Sequence, residues 1–212
     1  MRIWSLFFLL IVCLPSFAQL EIYKTLSDYK NNTPVSYVLD GEIRPYNSGL
    51  VFKTKDGKHN ITTDEFWGFK YNNILFRTCI GNKAMAALIS AGKICYWEDG
   101  EYVLDGINNK TFNQPDISWK CNCDAVYLSQ TIESELYYRD FHPFISLDTS
   151  YIRLSECVFN GMPEKNQKSL KPMNKIMKLG GEGPTAMLNY VSRITYFIDV
   201  LRKCVKDFNA AE

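Results

Sequence analysis

Between residues 36 and 104, apolar and polar positions alternate in short runs, interrupted by turn-forming residues about every ten positions. Leu50–Thr54 and Asn60–Thr63 flank Lys55-Asp56-Gly57-Lys58, where Asp-Gly favours the positive φ angles of a tight hairpin turn. Phe66–Tyr71 and Ile74–Cys79 flank Asn72-Asn73, and Asn tolerates the same backbone region. Ala86–Ile89 and Ile94–Trp97 flank Ser90-Ala91-Gly92-Lys93, after which Glu98-Asp99-Gly100 turns into an expected strand over Tyr102–Leu104. Further strands are expected around Ser36–Leu39 and over Ala125–Ser129, whereas 20–33 reads as polar and 105–120, rich in Asn and holding Pro115, as a loop. Residues 131–147 fit helix and extended chain equally. Strands in this succession predict an antiparallel meander, a sandwich or a small barrel.

The pattern changes towards the C-terminus. Residues 162–178 are basic, with five Lys against Glu164, and Gly180-Gly181-Glu182-Gly183-Pro184 breaks the chain. From Pro184 to Phe208 the apolar residues Leu188, Val191, Ile194, Ile198, Leu201, Val205 and Phe208 recur at steps of three or four. That spacing predicts an amphipathic helix with one apolar stripe, packed on the sheet. Lys203 and Lys206 in its last turns suit the helix dipole. The fold class is therefore α+β and rich in β-strand. The expected layout is a leader at 1–18, a β-rich domain at 19–130, a mixed region at 131–183 and the helix at 184–208.

The leader is read from charge and length. Arg2 precedes an apolar run over residues 3–14, Pro15 ends it, and Ser16 and Ala18 place small residues before a cleavage point at Gln19. The run is too short to span a bilayer, which takes about 20 residues. Cys13 follows Val12 inside the run, a poor context for lipidation. A secretory signal peptide is expected, followed by a periplasmic or extracellular chain with no membrane-spanning segment.

Removing that leader leaves 194 residues, with 23 basic and 23 acidic side chains. A neutral chain has no overall field to collect nucleic acid. Six Cys remain: Cys79, Cys95, Cys121, Cys123, Cys157 and Cys204. An even number in an exported chain suggests disulfides, whose connectivity sequence alone leaves open. Cys79 with Cys95, on hairpin strands expected to be neighbours, and Cys157 with Cys204, tying the last helix back, are two candidate pairs.

Several features carry possible chemistry. Phe66, Trp67, Phe69, Tyr71, Phe76, Tyr96 and Trp97 form the densest aromatic group. Core burial explains most of them, but Phe66 and Trp67 point to opposite faces of a regular strand, so one is expected to be exposed. Trp67, Tyr71 and Trp97 are the candidate ligand-binding residues, able to stack a sugar ring if open to solvent. Cys121-Asn122-Cys123 lacks nearby His, since His59 and His142 lie more than 15 residues away, and half-cystines with separate partners fit better than a metal. Gly180–Thr185 lacks the Lys of a phosphate loop and reads as a hinge. The Lys run reads as a solvated loop before it reads as a lipid or polysaccharide contact. Asp140, His142, Ser129, Ser134 and Ser146 are near in sequence but show no nucleophile-elbow motif, and Glu133 with Glu135 carries no distinctive glycosidase signal. No catalytic residue, metal site or cofactor is assigned. Asn31, Asn60 and Asn109 fit the glycosylation pattern, relevant only in a eukaryotic pathway.

The leader ending Ser16-Phe17-Ala18-Gln19 resembles exported proteins of Bacteroidetes bacteria. Phe66-Trp67-Gly68-Phe69, Leu75-Phe76-Arg77 and Ala91-Gly92-Lys93-Ile94-Cys95-Tyr96-Trp97 together resemble a group of uncharacterised envelope proteins from those bacteria. The resemblance covers residues 36–104. It implies a bacterial, exported, β-rich domain and carries over no catalytic residue. The function expected is a non-enzymatic envelope or secreted protein that binds a partner, an envelope protein or a glycan. The alternatives are a carbohydrate-binding module using exposed aromatics, and a thiol-redox enzyme or hydrolase.

Overall fold

A computed structural model describes residues 19–46, 49–80, 84–112, 126–136, 149–162, 164–165, 167–168 and 198–211. The leader, Cys121, Cys123, Asp140, His142, Ser146, the Gly180–Thr185 break and the helix expected before residue 198 lie outside these residues, as does most of the basic stretch.

Among the described residues, ten strands form two open antiparallel sheets. The larger has the order β10-β9-β8-β7-β6-β1-β2, with β1 at Gln19–Tyr23, β2 at Val35–Val38, β6 at Gly68–Tyr71, β7 at Ile74–Thr78, β8 at Met85–Ser90, β9 at Cys95–Asp99 and β10 at Val126–Ser129. The smaller has the order β3-β4-β5, with β3 at Arg44–Pro45, β4 at Gly49–Thr54 and β5 at Gly57–Thr62. Neither sheet closes, so the barrel alternative falls away. The meander expected from sequence is β6 to β10.

Turn chemistry fixes the hairpins. Tyr71 pairs with Ile74, and the two residues between them, Asn72 and Asn73, have φ of 50° and 62°, as a tight twisted hairpin requires. At the first hairpin Thr54 pairs with Gly57, so the turn residues are Lys55 and Asp56, and the positive φ of 134° falls on Gly57. The Asp-Gly signal located this turn, with the special backbone one position later than a mirror-image turn would put it.

Two expectations fail in informative ways. Residues 100–108 form helix α2, Gly100–Asn108, where a strand was expected over Tyr102–Leu104. Asp99 is its N-cap and accepts from the N–H groups of Glu101 and Tyr102, and Val103, Leu104 and Ile107 share its core-facing side. The stretch read as polar contains β1, which pairs with both β2 and β6. Leu20 and Ile22 alternate inward there, and helix α1, Leu26–Lys30, follows behind a reciprocal Thr25–Asp28 cap.

The large sheet buries both faces. One face carries Leu20, Ile22, Phe69, Phe76, Tyr96 and the smaller sheet's Leu50 and Phe52, with helix α3, Thr149–Gly161, and helix α4, Ile198–Ala210, packed against them. Leu201, Cys204 and Val205 supply the buried side of α4, which is the C-terminal end of the expected stripe. The other face carries Leu75, Cys79, Ala86, Cys95, Trp97, Tyr127 and Leu136. Phe66 therefore enters one core while Trp67 packs half-buried on the second. Strand alternation does send the two rings to opposite faces, but the second face is covered too, so the fully exposed aromatic expected there is absent.

Among the described residues, three side chains anchor helix α4. Cys204 is bonded to Cys157 of α3, with Cα atoms 5.8 Å apart. Arg202 pairs with buried Glu98 of β9. Asn209 accepts from the Ile94 N–H at 3.0 Å through its amide oxygen and donates to the Ile94 carbonyl at 3.0 Å through its nitrogen. Any side chain at Gly92 would collide with Asn209, since a Cβ there would lie 2.6 Å from it. No helix among the described residues is long and apolar enough to cross a membrane.

Candidate functional site

The three pieces of the aromatic sequence pattern converge on the second face of the large sheet. Trp67 precedes β6, Arg77 lies on β7 and Trp97 on β9. The Arg77 guanidinium carbon sits 4.4 Å from the Trp67 ring centre and 5.8 Å from that of Trp97. Such stacking suits the flat, weakly hydrated guanidinium. Arg77 also donates to the carbonyls of Ile132 and Ser134, the latter at 2.6 Å, and so holds the Thr131–Ser134 turn on the sheet. Burial lowers its pKa to about 10, with Cys79, Glu133, Cys95 and Glu135 pulling it back up. Tyr29 packs against Trp67 with ring centres 4.8 Å apart and planes tilted by 34°, and Lys70 lies over Tyr29 and Tyr23. Desolvation and a hydrogen bond to Glu21 push the Tyr23 hydroxyl up to about 12.

This constellation is a scaffold. Trp97 is fully buried, with its Nε1–H given to Ser129 at 2.8 Å, and Tyr71 is only 8% exposed. Neither presents an open ring face, so of the candidate ligand-binding residues only Trp67 retains any, and Arg77 and Tyr29 occupy much of it. Ser129 and Ser134 are tied into the same turn, and among the described residues no cluster of three metal-ligating side chains forms.

Cys79 and Cys95 are both buried thiols and do not pair. The hairpin reading placed them on adjacent strands, but β8 runs between: Cys79 follows β7 and Cys95 opens β9 at the opposite end of β8. Burial pushes the Cys79 thiol up to about 12 and raises that of Cys95 as well, which suppresses thiolate chemistry at both.

Among the described residues, an open groove lies on the smaller sheet. The groove, of about 680 Å³, is lined by Asp40, Glu42, Arg44, Tyr46, Val51, Lys53 and Lys58, with Phe52 also at its lining while its side chain is buried in the core. Register explains the arrangement. Arg44 lies opposite Val51, and Lys53 lies opposite Lys58. Val51 and Lys53 are two apart in β4, so all four side chains share one face. The preceding loop is held in place by Asn108 of α2, which donates to the Ile43 carbonyl at 2.7 Å, and by the Asp40 N–H, which donates to the Lys53 carbonyl at 2.8 Å.

Three cations thus meet two carboxylates in the groove. Arg44 and Glu42 pair at 3.3 Å but are 75% and 50% exposed, so the pair contributes little to stability. Like charges directly opposite each other in a sheet repel, and Lys53 and Lys58 are placed that way. Tyr46, 55% exposed, offers its ring nearby. Sequence reading missed these residues. A turn centred on Asp56-Gly57 would set Lys55 against Lys58, and only the observed register, with Thr54 opposite Gly57, brings Lys53 there. A second, smaller groove of about 250 Å³ lies between β2 and β5, lined by Val35, Tyr37, His59, Ile61 and Glu65. There His59 stacks on Phe52 at 5.0 Å and bonds the Thr54 hydroxyl at 2.8 Å. No protein-family model matches the chain, and no curated protein and no solved structure matches it either.

Proposed function

We propose that this is an exported, non-enzymatic binding module, and that the groove on the smaller sheet holds an anionic, hydroxyl-rich ligand such as an acidic glycan. The observation that carries this reading is Lys53 directly opposite Lys58, beside the exposed ring of Tyr46. An anion set between the two ammonium groups relieves their repulsion. The Tyr46 ring offers a stacking face, and Asp40, Glu42 and Arg44 offer acceptors and donors to hydroxyl groups. The Cys157–Cys204 bond supports an oxidising compartment, and the leader and the Bacteroidetes resemblance favour a bacterial envelope or its exterior. Burial of Cys79 and Cys95 weighs against a thiol-redox enzyme working through them.

Titration calorimetry with an acidic and a neutral oligosaccharide tests the proposal. Binding of the acidic one, weakened by Lys53→Ala, Lys58→Ala and Tyr46→Ala and by added salt, is expected. Equal retention of neutral sugars by those variants, or binding of neither sugar, would sink it.

A further inference from the structure

The smaller groove, between the two sheets, carries one charge of each sign beside an apolar lining. Ile22 and Val35 are direct partners in the β1–β2 pair and so share a face. His59 is paired with core-facing Phe52, and Ile61, two further along β5, shares its side. Tyr37 joins the two walls, with its ring centre 5.4 Å from that of His59 and 5.0 Å from that of Phe52. Lys24 and Glu65 complete the lining, and both are exposed.

The chain positions both charges without neutralising them. Thr62 donates to Glu65 Oε2 twice, from its N–H at 2.6 Å and its hydroxyl at 2.9 Å. Those bonds hold the Glu65 carboxyl below the usual carboxylate range, with help from the Lys24 charge. Among the described residues, nothing bonds Glu65 Oε1. The Lys24 carbonyl accepts from the Trp67 N–H at 3.1 Å, which fixes its backbone. Its ammonium has no ion pair or hydrogen bond among the described residues.

We propose that this cleft binds a free α-amino acid with an aliphatic side chain. Its carboxylate meets Lys24, its ammonium meets Glu65 Oε1, and its side chain lies against Ile22, Val35 and Ile61. The cleft holds about 250 Å³, below the range of about 300–1,000 Å³ typical of larger ligands. A neutral sugar answers neither charge, and an acidic one leaves Glu65 unanswered. A peptide end brings only one of the two charges, because its other terminus lies farther along the chain. The flexible Lys24 stem adjusts to the fixed Glu65. Both charges are open to solvent, so binding is weak and falls with salt.

None of these residues lines the larger groove. NMR titration of the protein with leucine, without glycan, tests the proposal. Shifts at the methyl groups of Ile22, Val35 and Ile61 are expected. N-acetyl-leucine and leucinamide, each missing one charge, bind about fivefold more weakly. Glycine, which lacks the side chain, binds about tenfold more weakly. Glu65→Gln, which still accepts from Thr62, weakens leucine about fivefold and does not weaken N-acetyl-leucine. Lys24→Met weakens leucine to the same degree and does not weaken leucinamide. Absence of shifts at these methyls, derivatives that bind as tightly as leucine, or leucine binding indifferent to both substitutions overturns the proposal. Lys53→Ala, which weakens the acidic glycan, leaves leucine binding unchanged, so either reading can fail without the other.

Discussion

Arg202 of α4 donates its Nε–H to the Glu98 carboxylate of β9 at 2.6 Å, with the two side chains 3% and 0% exposed. Tyr96, two residues away on the same strand face, brings its hydroxyl beside them. Breaking such a pair leaves an uncompensated charge in the core, whereas replacing both members removes the desolvation cost. Glu98→Ala is expected to destabilise the protein by about 3–5 kcal/mol, and Glu98→Leu with Arg202→Met to stand within about 1 kcal/mol of the parent or above it. Urea unfolding of the parent and the variants measures both.

The same pair sets a pH dependence. Burial raises the Glu98 pKa above the ordinary value of 4.5, although Arg202 pulls it down. The folded protein then holds this proton more tightly than the unfolded chain does. The contribution is fully present below the unfolded pKa and is lost as pH rises through the folded one. From pH 4.5 upward, the parent should lose stability relative to the Glu98→Leu/Arg202→Met variant. Unfolding midpoints taken across that range would run parallel if the pair does not titrate this way.

Arg77 should be irreplaceable by Lys. It bonds two carbonyls and lies between two indole rings, a task for a planar fork and not for a point charge. Arg77→Ala is expected to cost about 3 kcal/mol, and Arg77→Lys to recover less than half of that. Trp fluorescence during denaturation follows the change directly, since Trp67 and Trp97 line the site.

Cysteine chemistry divides the described thiols into two classes. Native alkylation should leave Cys79 and Cys95 unmodified, because both are buried with raised pKa values, and unfolding should expose them together. Reducing the Cys157–Cys204 bond, 47 residues apart in sequence, is expected to cost about 2–4 kcal/mol through the loop it closes. Peptide mapping and a reduced-versus-oxidised melt check the two statements.

Local chemistry was legible in the sequence wherever a turn residue did its own work. Asn72-Asn73 specified the two-residue β6–β7 hairpin, and Ser90–Lys93 marked the β8–β9 connection. Where one residue type serves two structures, the reading failed. Asp99-Gly100 looks like a turn, but Asp99 caps a helix because Val103, Leu104 and Ile107 give the next residues a face to bury. β1 was missed because five residues carry too little alternation to stand out beside α1. The groove was hidden for another reason. Its residues lie between positions 40 and 58, and only the exact register of β4 against β5 puts Lys53 across from Lys58. The aromatic pattern was visible, yet its consequence was not: Trp67 and Trp97 hold Arg77 between them in place of a ligand.

The Asn209 amide meets the Ile94 backbone as a neighbouring strand would, with one donor and one acceptor, from 115 positions further along the chain. Synthesis order gives this a temporal meaning. By the time α2 has been made, all the strands from β1 to β9 exist, but both polar groups of Ile94 must still be satisfied by water. The closing bonds arrive only with the last turn of α4. A nascent chain therefore spends most of its translation as a meander with one unsealed corner, open to any factor that recognises an unpaired strand end, and it loses that handle when residue 209 docks.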